Sequence, residues 1–157
     1  MDSSDHILER TTRIPRPLAE VFPFFADARN LARITPPSMG FQITSAQPLE
    51  MRRNLMIEYR LRILGIPLRW SSLISEWSPP HRFIDEQVTG PYARWTHLHE
   101  FIAEGDTTVM RDEVRYRLPF GLLGNLALPF VKMQLRHIFD YRESAIRCLF
   151  STPPAPR

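Results

Sequence analysis

Three stretches of this chain alternate apolar and polar residues with a period of two, the pattern of a strand with one buried face. In Leu55 to Ile63, Ile57, Tyr59, Leu61 and Ile63 share one face, and Met56, Glu58, Arg60 and Arg62 share the other. Arg94 to Glu104 and Thr107 to Leu118 alternate likewise, joined by a tight Gly105-Asp106 turn. Weaker signals place further strands at 6–14, 40–46, 67–77 behind a reversal at Gly65, and 81–89 behind Pro79-Pro80.

Helical signals are confined to two places. Pro17 suits a first helical turn and opens a short helix from Leu18 to Ala26, which Pro23 should tighten or end early. Asp27 can cap a second short helix, Ala28 to Ile34, and Thr35-Pro-Pro ends it because residues before proline leave the α region. After Pro119-Phe-Gly121 a long amphipathic helix is expected. Its Lys132, Arg136, Asp140, Glu143 and Arg147 are spaced 4, 4, 3 and 4 and form one solvent stripe. So narrow a polar strip predicts a helix buried on most sides, with a bend at Pro129. The order of elements predicts an α+β fold: about six or seven antiparallel strands in a curved sheet wrapped around the long C-terminal helix, with two short helices after the first strand.

Composition narrows this further. A chain of 157 residues with 43% hydrophobic content suits one domain with a real core, taken as residues 1–150. Residues 151–157, with three prolines, read as a frayed tail. One cysteine, Cys148, excludes an intrachain disulfide; it is expected in the core, in a protein of a reducing compartment. The first residues lack a basic segment followed by an apolar run, so no signal peptide is expected. The longest apolar stretch, Leu118 to Val131, is broken by two prolines, two glycines and an asparagine and is too short to span a membrane. A cytoplasmic location follows as the expectation. Net charge is +3, but the arginines are dispersed and no nucleic-acid motif occurs, so nucleic acid is not an expected partner.

Several segments resemble a known family. Arg82-Phe-Ile-Asp-Glu-Gln87, Gly90-Pro-Tyr92, Trp95-Thr-His-Leu-His-Glu-Phe101, Asp112 to Gly121 and Ile138-Phe-Asp-Tyr-Arg142 are similar to the SRPBCC superfamily, the START-like, polyketide cyclase/dehydrase-like helix-grip group. The nearest likeness is to bacterial stand-alone ligand-binding domains and to a domain fused to sugar-nucleotide-epimerase-like proteins. The resemblance implies a deep cavity between sheet and helix that commonly holds a hydrophobic small molecule. The superfamily also includes cyclases, dehydratases and oxygenase domains, so fold does not settle function. The Cys/His spacings of a Rieske cluster and the Gly-rich dinucleotide fingerprint are both absent. No cofactor is expected and no metal is assigned.

Strand alternation sets the inward side chains. On the last strand Arg111, Glu113, Arg115 and Arg117 face outward, leaving Met110, Asp112, Val114, Tyr116 and Leu118 inside. Trp95, His97, His99 and Phe101 share a face, as do Phe83, Asp85 and Gln87. An ionised carboxylate placed inside needs a partner. Asp85, Gln87, His97, His99 and Asp112 then admit four readings. They can satisfy one another as a structural network, or anchor the polar head of a mostly apolar ligand. His97, His99 and Asp112 can act as an acid-base set, and His-x-His with Asp85 or Asp112 imitates a two-His-one-carboxylate metal triad. Tyr59, Trp70, Trp95, Met110, Tyr116 and Phe130 are the expected cavity walls. Gln134 and Tyr141 are the expected polar tips of its roof, and His137 is either a third ligand of such a triad or a further lining donor. The favoured reading is a module that carries, senses or sequesters a hydrophobic or amphipathic small molecule. The rival is a cyclase/dehydratase-type lyase or isomerase in the same cavity. The apolar surface of the terminal helix could also reach a second subunit, giving a homodimer.

Overall fold

In the computed structural model, residues 5–46 and 48–151 are described. Seven antiparallel strands form one sheet: β1 (His6–Ile14), β2 (Gln42–Ile43), β3 (Met56–Ile63), β4 (Ile66–Ser78), β5 (Arg82–Thr89), β6 (Arg94–Glu104) and β7 (Thr107–Arg117). Their spatial order is β1-β7-β6-β5-β4-β3-β2. Every step from β2 to β7 is therefore a neighbour-to-neighbour connection, and β1 closes the far edge beside β7. The chain between β1 and β2 forms helix α1 (Leu18–Phe25) and two 3-10 segments, Ala28–Ile34 and Pro37–Met39. Helix α2 (Gly121–Asn125) precedes the long helix α3 (Leu128–Ser151). This is the helix-grip arrangement that the order of elements predicts.

Local chemistry accounts for the boundaries. The Asp27 carboxylate accepts from the Arg29 backbone N–H at 3.0 Å and caps the Ala28–Ile34 segment. That segment is the second short helix expected from the sequence, wound as a 3-10 helix. Pro23 lies inside α1, which stops two residues later. The 40–46 strand contracts to Gln42–Ile43 at the sheet edge. Two register shifts in β4, at Ser71/Ser72 and Ile74/Glu76, bend the strand.

The terminal helix departs from expectation in three respects. Only Leu135, Phe139, Arg142 and Ile146 are buried along it, a single stripe at spacings of 4, 3 and 4. The helix lies across one mouth of the sheet, so its opposite face meets solvent and Phe130 and Met133 stay exposed. Pro129 is the second residue of α3, in the first turn where a missing N–H costs nothing, so the break comes earlier, between α2 and α3. Cys148 is exposed, because it falls outside the buried stripe. Of the expected tail, Ser151 closes α3 and residues 152–157 lie outside the described residues.

The core has three apolar clusters. Phe22, Phe25, Phe101 and Ile146 belong to one that ties α1 to the sheet and α3. Val114, Tyr116, Leu135 and Phe139 pack β7 against α3. Ile57 and Ile74 join Leu55 and Ala28 in the third. A cavity remains among these clusters.

Candidate functional site

The cavity encloses about 180 Å³ between the concave sheet face and α3. Ile57, Tyr59 and Leu61 of β3 line it because they share the inward face. Trp70 and Trp95 lie edge to face at 5.4 Å between ring centres. Leu135, Ile138 and Phe139 of α3 close the opposite side. The walls are mostly apolar. Tyr59 and Trp70 both direct their polar atoms to Ser72 Oγ, at 3.2 and 3.0 Å, so neither leaves a buried donor bare.

Charge gathers at one place in the wall. The antiparallel register sets His97 opposite Asp85 and His99 opposite Asp112. The side chains nevertheless bond along the diagonals, within reach of long side chains on one sheet face. His97 Nε2 lies 2.8 Å from Asp112 Oδ1, and His99 Nε2 lies 2.6 Å from Asp85 Oδ2. The two imidazoles overlap with ring centres 3.7 Å apart, and Phe83 stacks on His99 at 4.1 Å. Arg142 reaches across from α3, its Nη2 3.8 Å from Asp112 Oδ1. His99 Nδ1 is 3.3 Å from Asp112 Oδ1, close enough to attract but not aligned as a hydrogen bond.

These contacts distribute the protons unevenly. Burial pushes His97 below the ordinary histidine value, and the charge of neighbouring His99 adds to the effect. Burial also opposes protonation of His99, but its contacts with Asp112 and Asp85 together outweigh it and raise its pKa. For Asp112 burial favours the acid form; Arg142, His97 and His99 more than reverse that and hold it well below the usual carboxylate range. Asp85 is lowered too, its burial outweighed by His99, His97 and Arg142. Of the two histidines, His99 is therefore the readier to hold a proton beside the carboxylates and His97 the readier to stay neutral. With its Nε2–H donated to Asp112, neutral His97 keeps a lone pair on Nδ1.

Two buried donor atoms in this cluster have no hydrogen-bond partner, His99 Nδ1 and Arg142 Nε. Buried donors normally find one, and both side chains line the cavity. Asp85, His97 and His99 also bring one ligand atom each within 4.8 Å of one another, a set that could hold a metal ion.

The structure brings Tyr59, Trp70, Asp85, Trp95, His97 and His99 together on the cavity wall. Asp112 lies behind it, buried, holding His97 and Arg142. The other residues singled out in the sequence lie elsewhere. Gln87 braces the β5–β6 turn through the Tyr92 backbone, accepting from its N–H at 3.1 Å and donating to its carbonyl at 2.8 Å. Met110 and Tyr116 are packed in the core clusters. Phe130 and His137 are exposed, and Gln134 and Tyr141 are half-buried outside the lining. All four sit off the buried stripe of α3. Arg142 is the functional residue that alternation on the strands misses. Its signal is helical: it falls between Phe139 and Ile146 on the buried stripe, a place where an arginine needs a partner.

Among solved structures, the ZhuI aromatase/cyclase from Streptomyces sp. R1128 superposes with a TM-score of 0.75 at 14% identity, covering 94% of each chain. Truncated norcoclaurine synthase from Thalictrum flavum gives 0.71 at 10% identity, over 98% of this chain and 99% of that one. A START superfamily protein from Mycobacterium smegmatis gives 0.70 at 11% identity, over 93% and 97%. At such identities the likeness is one of fold. No curated protein matches the sequence. Residues 14–139 match the family model described as polyketide cyclase/dehydrase and lipid transport, and the chain belongs to that family.

Proposed function

We propose that the chain binds a hydrophobic or amphipathic small molecule in the cavity between the sheet and α3, as a carrier, a sensor or a sequestering protein. The observation that carries this reading is the pairing of apolar walls with an unpartnered buried donor, Arg142 Nε. Pockets of this kind take the body of a ligand by burial and its orientation from a few polar contacts. A ligand oxygen with acceptor character, a carbonyl or a carboxylate, is what that donor requires. Native mass spectrometry of gently purified protein, with elemental analysis, tests the reading. A co-purifying organic mass is expected. Trp70 and Trp95 also report binding, so quenching of their fluorescence by a panel of aromatic ketones and long-chain carboxylates should saturate, and Arg142→Met should weaken it. Absence of both a co-purified mass and any saturable quenching overturns the reading.

A second reading, a cyclase/dehydratase-type enzyme, is favoured by one observation: two histidines with ring centres 3.7 Å apart whose proton affinities are displaced in opposite directions. Neighbouring groups pushed apart in this way serve as base and acid. His97 Nδ1 would take a proton alpha to a ligand carbonyl, protonated His99 would give one to a departing hydroxyl, and water would leave. Loss of one water from an aryl β-hydroxy-ketone probe, abolished in His97→Gln with affinity kept, supports this reading. Binding of the probe without turnover sinks it.

A further inference from the structure

One end of the molecule is apolar and cationic at once. Register fixes which loops share it: Ser71 of β4 pairs with Thr89 of β5, and Trp95 of β6 pairs with Tyr116 of β7. The β3–β4 turn, the β5–β6 turn and the exit from β7 into α2 therefore project from the same end of the sheet. Phe120, Leu122, Leu123 and Leu126 around α2 are 72% to 83% exposed. At the tip of the β3–β4 turn Leu64 is 67% and Ile66 62% exposed. Large apolar side chains clustered in the open mark a contact surface. Phe130 and Met133 continue the exposed face along α3, one turn before Leu135 and Ile138 enter the cavity lining.

Basic residues outnumber acidic ones around this end. No aspartate or glutamate occurs in residues 59–75, 87–99 or 114–139, while Arg60, Arg62, Arg69, Arg94, Arg115, Arg117, Lys132 and Arg136 do. Arg94 and Arg117 are held by Asp5, and Arg115 by Glu113. Among the described residues Arg60, Arg62, Arg69, Lys132 and Arg136 have no carboxylate within ion-pair distance. Arg60 and Arg69 even face each other across β3 and β4, a like-charge pair that an external anion relieves.

We propose that this end is a docking surface for an anionic lipid bilayer. Phenylalanine and leucine side chains enter the interface while basic residues meet the lipid headgroups, the division of labour of a protein lying on a membrane. A second copy of the chain is a poor occupant, because a two-fold contact sets each patch against itself and brings the unpaired cations together. The proposal does not depend on what the cavity holds, although α3 links the two.

Flotation of the full chain with vesicles tests it, comparing phosphatidylcholine alone with phosphatidylcholine carrying about 30 mol % phosphatidylserine. Binding to the anionic vesicles is expected, with most of it lost at about 1 M salt, where the screening length falls to roughly 3 Å. Each basic residue near such a surface contributes about five-fold, or about 1 kcal/mol, so Lys132→Gln with Arg136→Gln should weaken binding about 25-fold. Leu122→Glu with Leu123→Glu should abolish it, and circular dichroism should show both variants folded. No capture by anionic vesicles, or equal capture by both vesicle types, overturns the proposal. So does concentration-dependent self-association without vesicle binding that is lost in Leu122→Glu/Leu123→Glu; this assigns the patch to a second copy.

Discussion

Replacing Arg142 by methionine removes one buried cation, and with it the guanidinium 5.8 Å over the Phe139 ring, while keeping an unbranched apolar stem. Arg142 and Asp112 have side chains only 10% and 2% exposed and stand 3.8 Å apart. At an effective dielectric constant of about 20 their attraction is about 4 kcal/mol. Relief from desolvating the guanidinium offsets part of this, and breaking a buried pair from one side typically costs about 3–5 kcal/mol. A loss of about 3 kcal/mol at pH 8 is therefore expected. Losing that positive charge raises the proton affinity of His97 relative to the wild-type chain, where burial lowers it. A group raised in the folded state contributes stability that is complete below its unfolded value and lost as pH rises through the folded one. The deficit of Arg142→Met should therefore shrink at about pH 6 and grow by about pH 8. Urea unfolding followed by tryptophan fluorescence, with Asp112→Asn completing a double-mutant cycle, measures both quantities. A deficit below about 0.5 kcal/mol, or one independent of pH, refutes the charge-balance argument, since substitutions remote from such features stay within that range.

The wild-type chain should be most stable near the ordinary histidine value of 6.5. His97, lowered, contributes stability that is present above 6.5 and lost in acid, whereas His99, raised, contributes stability present below 6.5 and lost as pH rises. Asp85 and Asp112 add a second acid loss below 3.8, and thermal melts across pH would show a flat profile if the cluster did not couple to folding. Gly124→Ala should destabilise by about 1–3 kcal/mol, because its Cβ would meet the Pro119 carbonyl oxygen at 1.9 Å; an unchanged melting temperature would show that α2 moves freely. Asp27→Ala removes the cap on the Ala28–Ile34 segment and should cost about 1 kcal/mol, read as a drop of about 2–4 °C.

Much of the architecture is legible in residue order alone. The period of two in β3, β6 and β7 identifies the inward face of each, because a strand has only two faces and a polar residue inside is expensive. The same parity turns His97, His99, Asp85 and Asp112 inward without reference to any partner. Asp27 marks a helix start for an equally local reason. Helix α3 shows where local pattern stops. Its apolar residues nearly encircle it, and hydrophobicity cannot tell which of them meet protein; only the position of the helix across the sheet leaves Phe130 and Met133 outside and draws Arg142 in. Cys148 is exposed for the same reason. Pairing within the cluster is also a tertiary matter. Parity puts both histidines inside, but register and the surrounding charges decide that the contacts run diagonally and that the proton affinity of His97 falls while that of His99 rises.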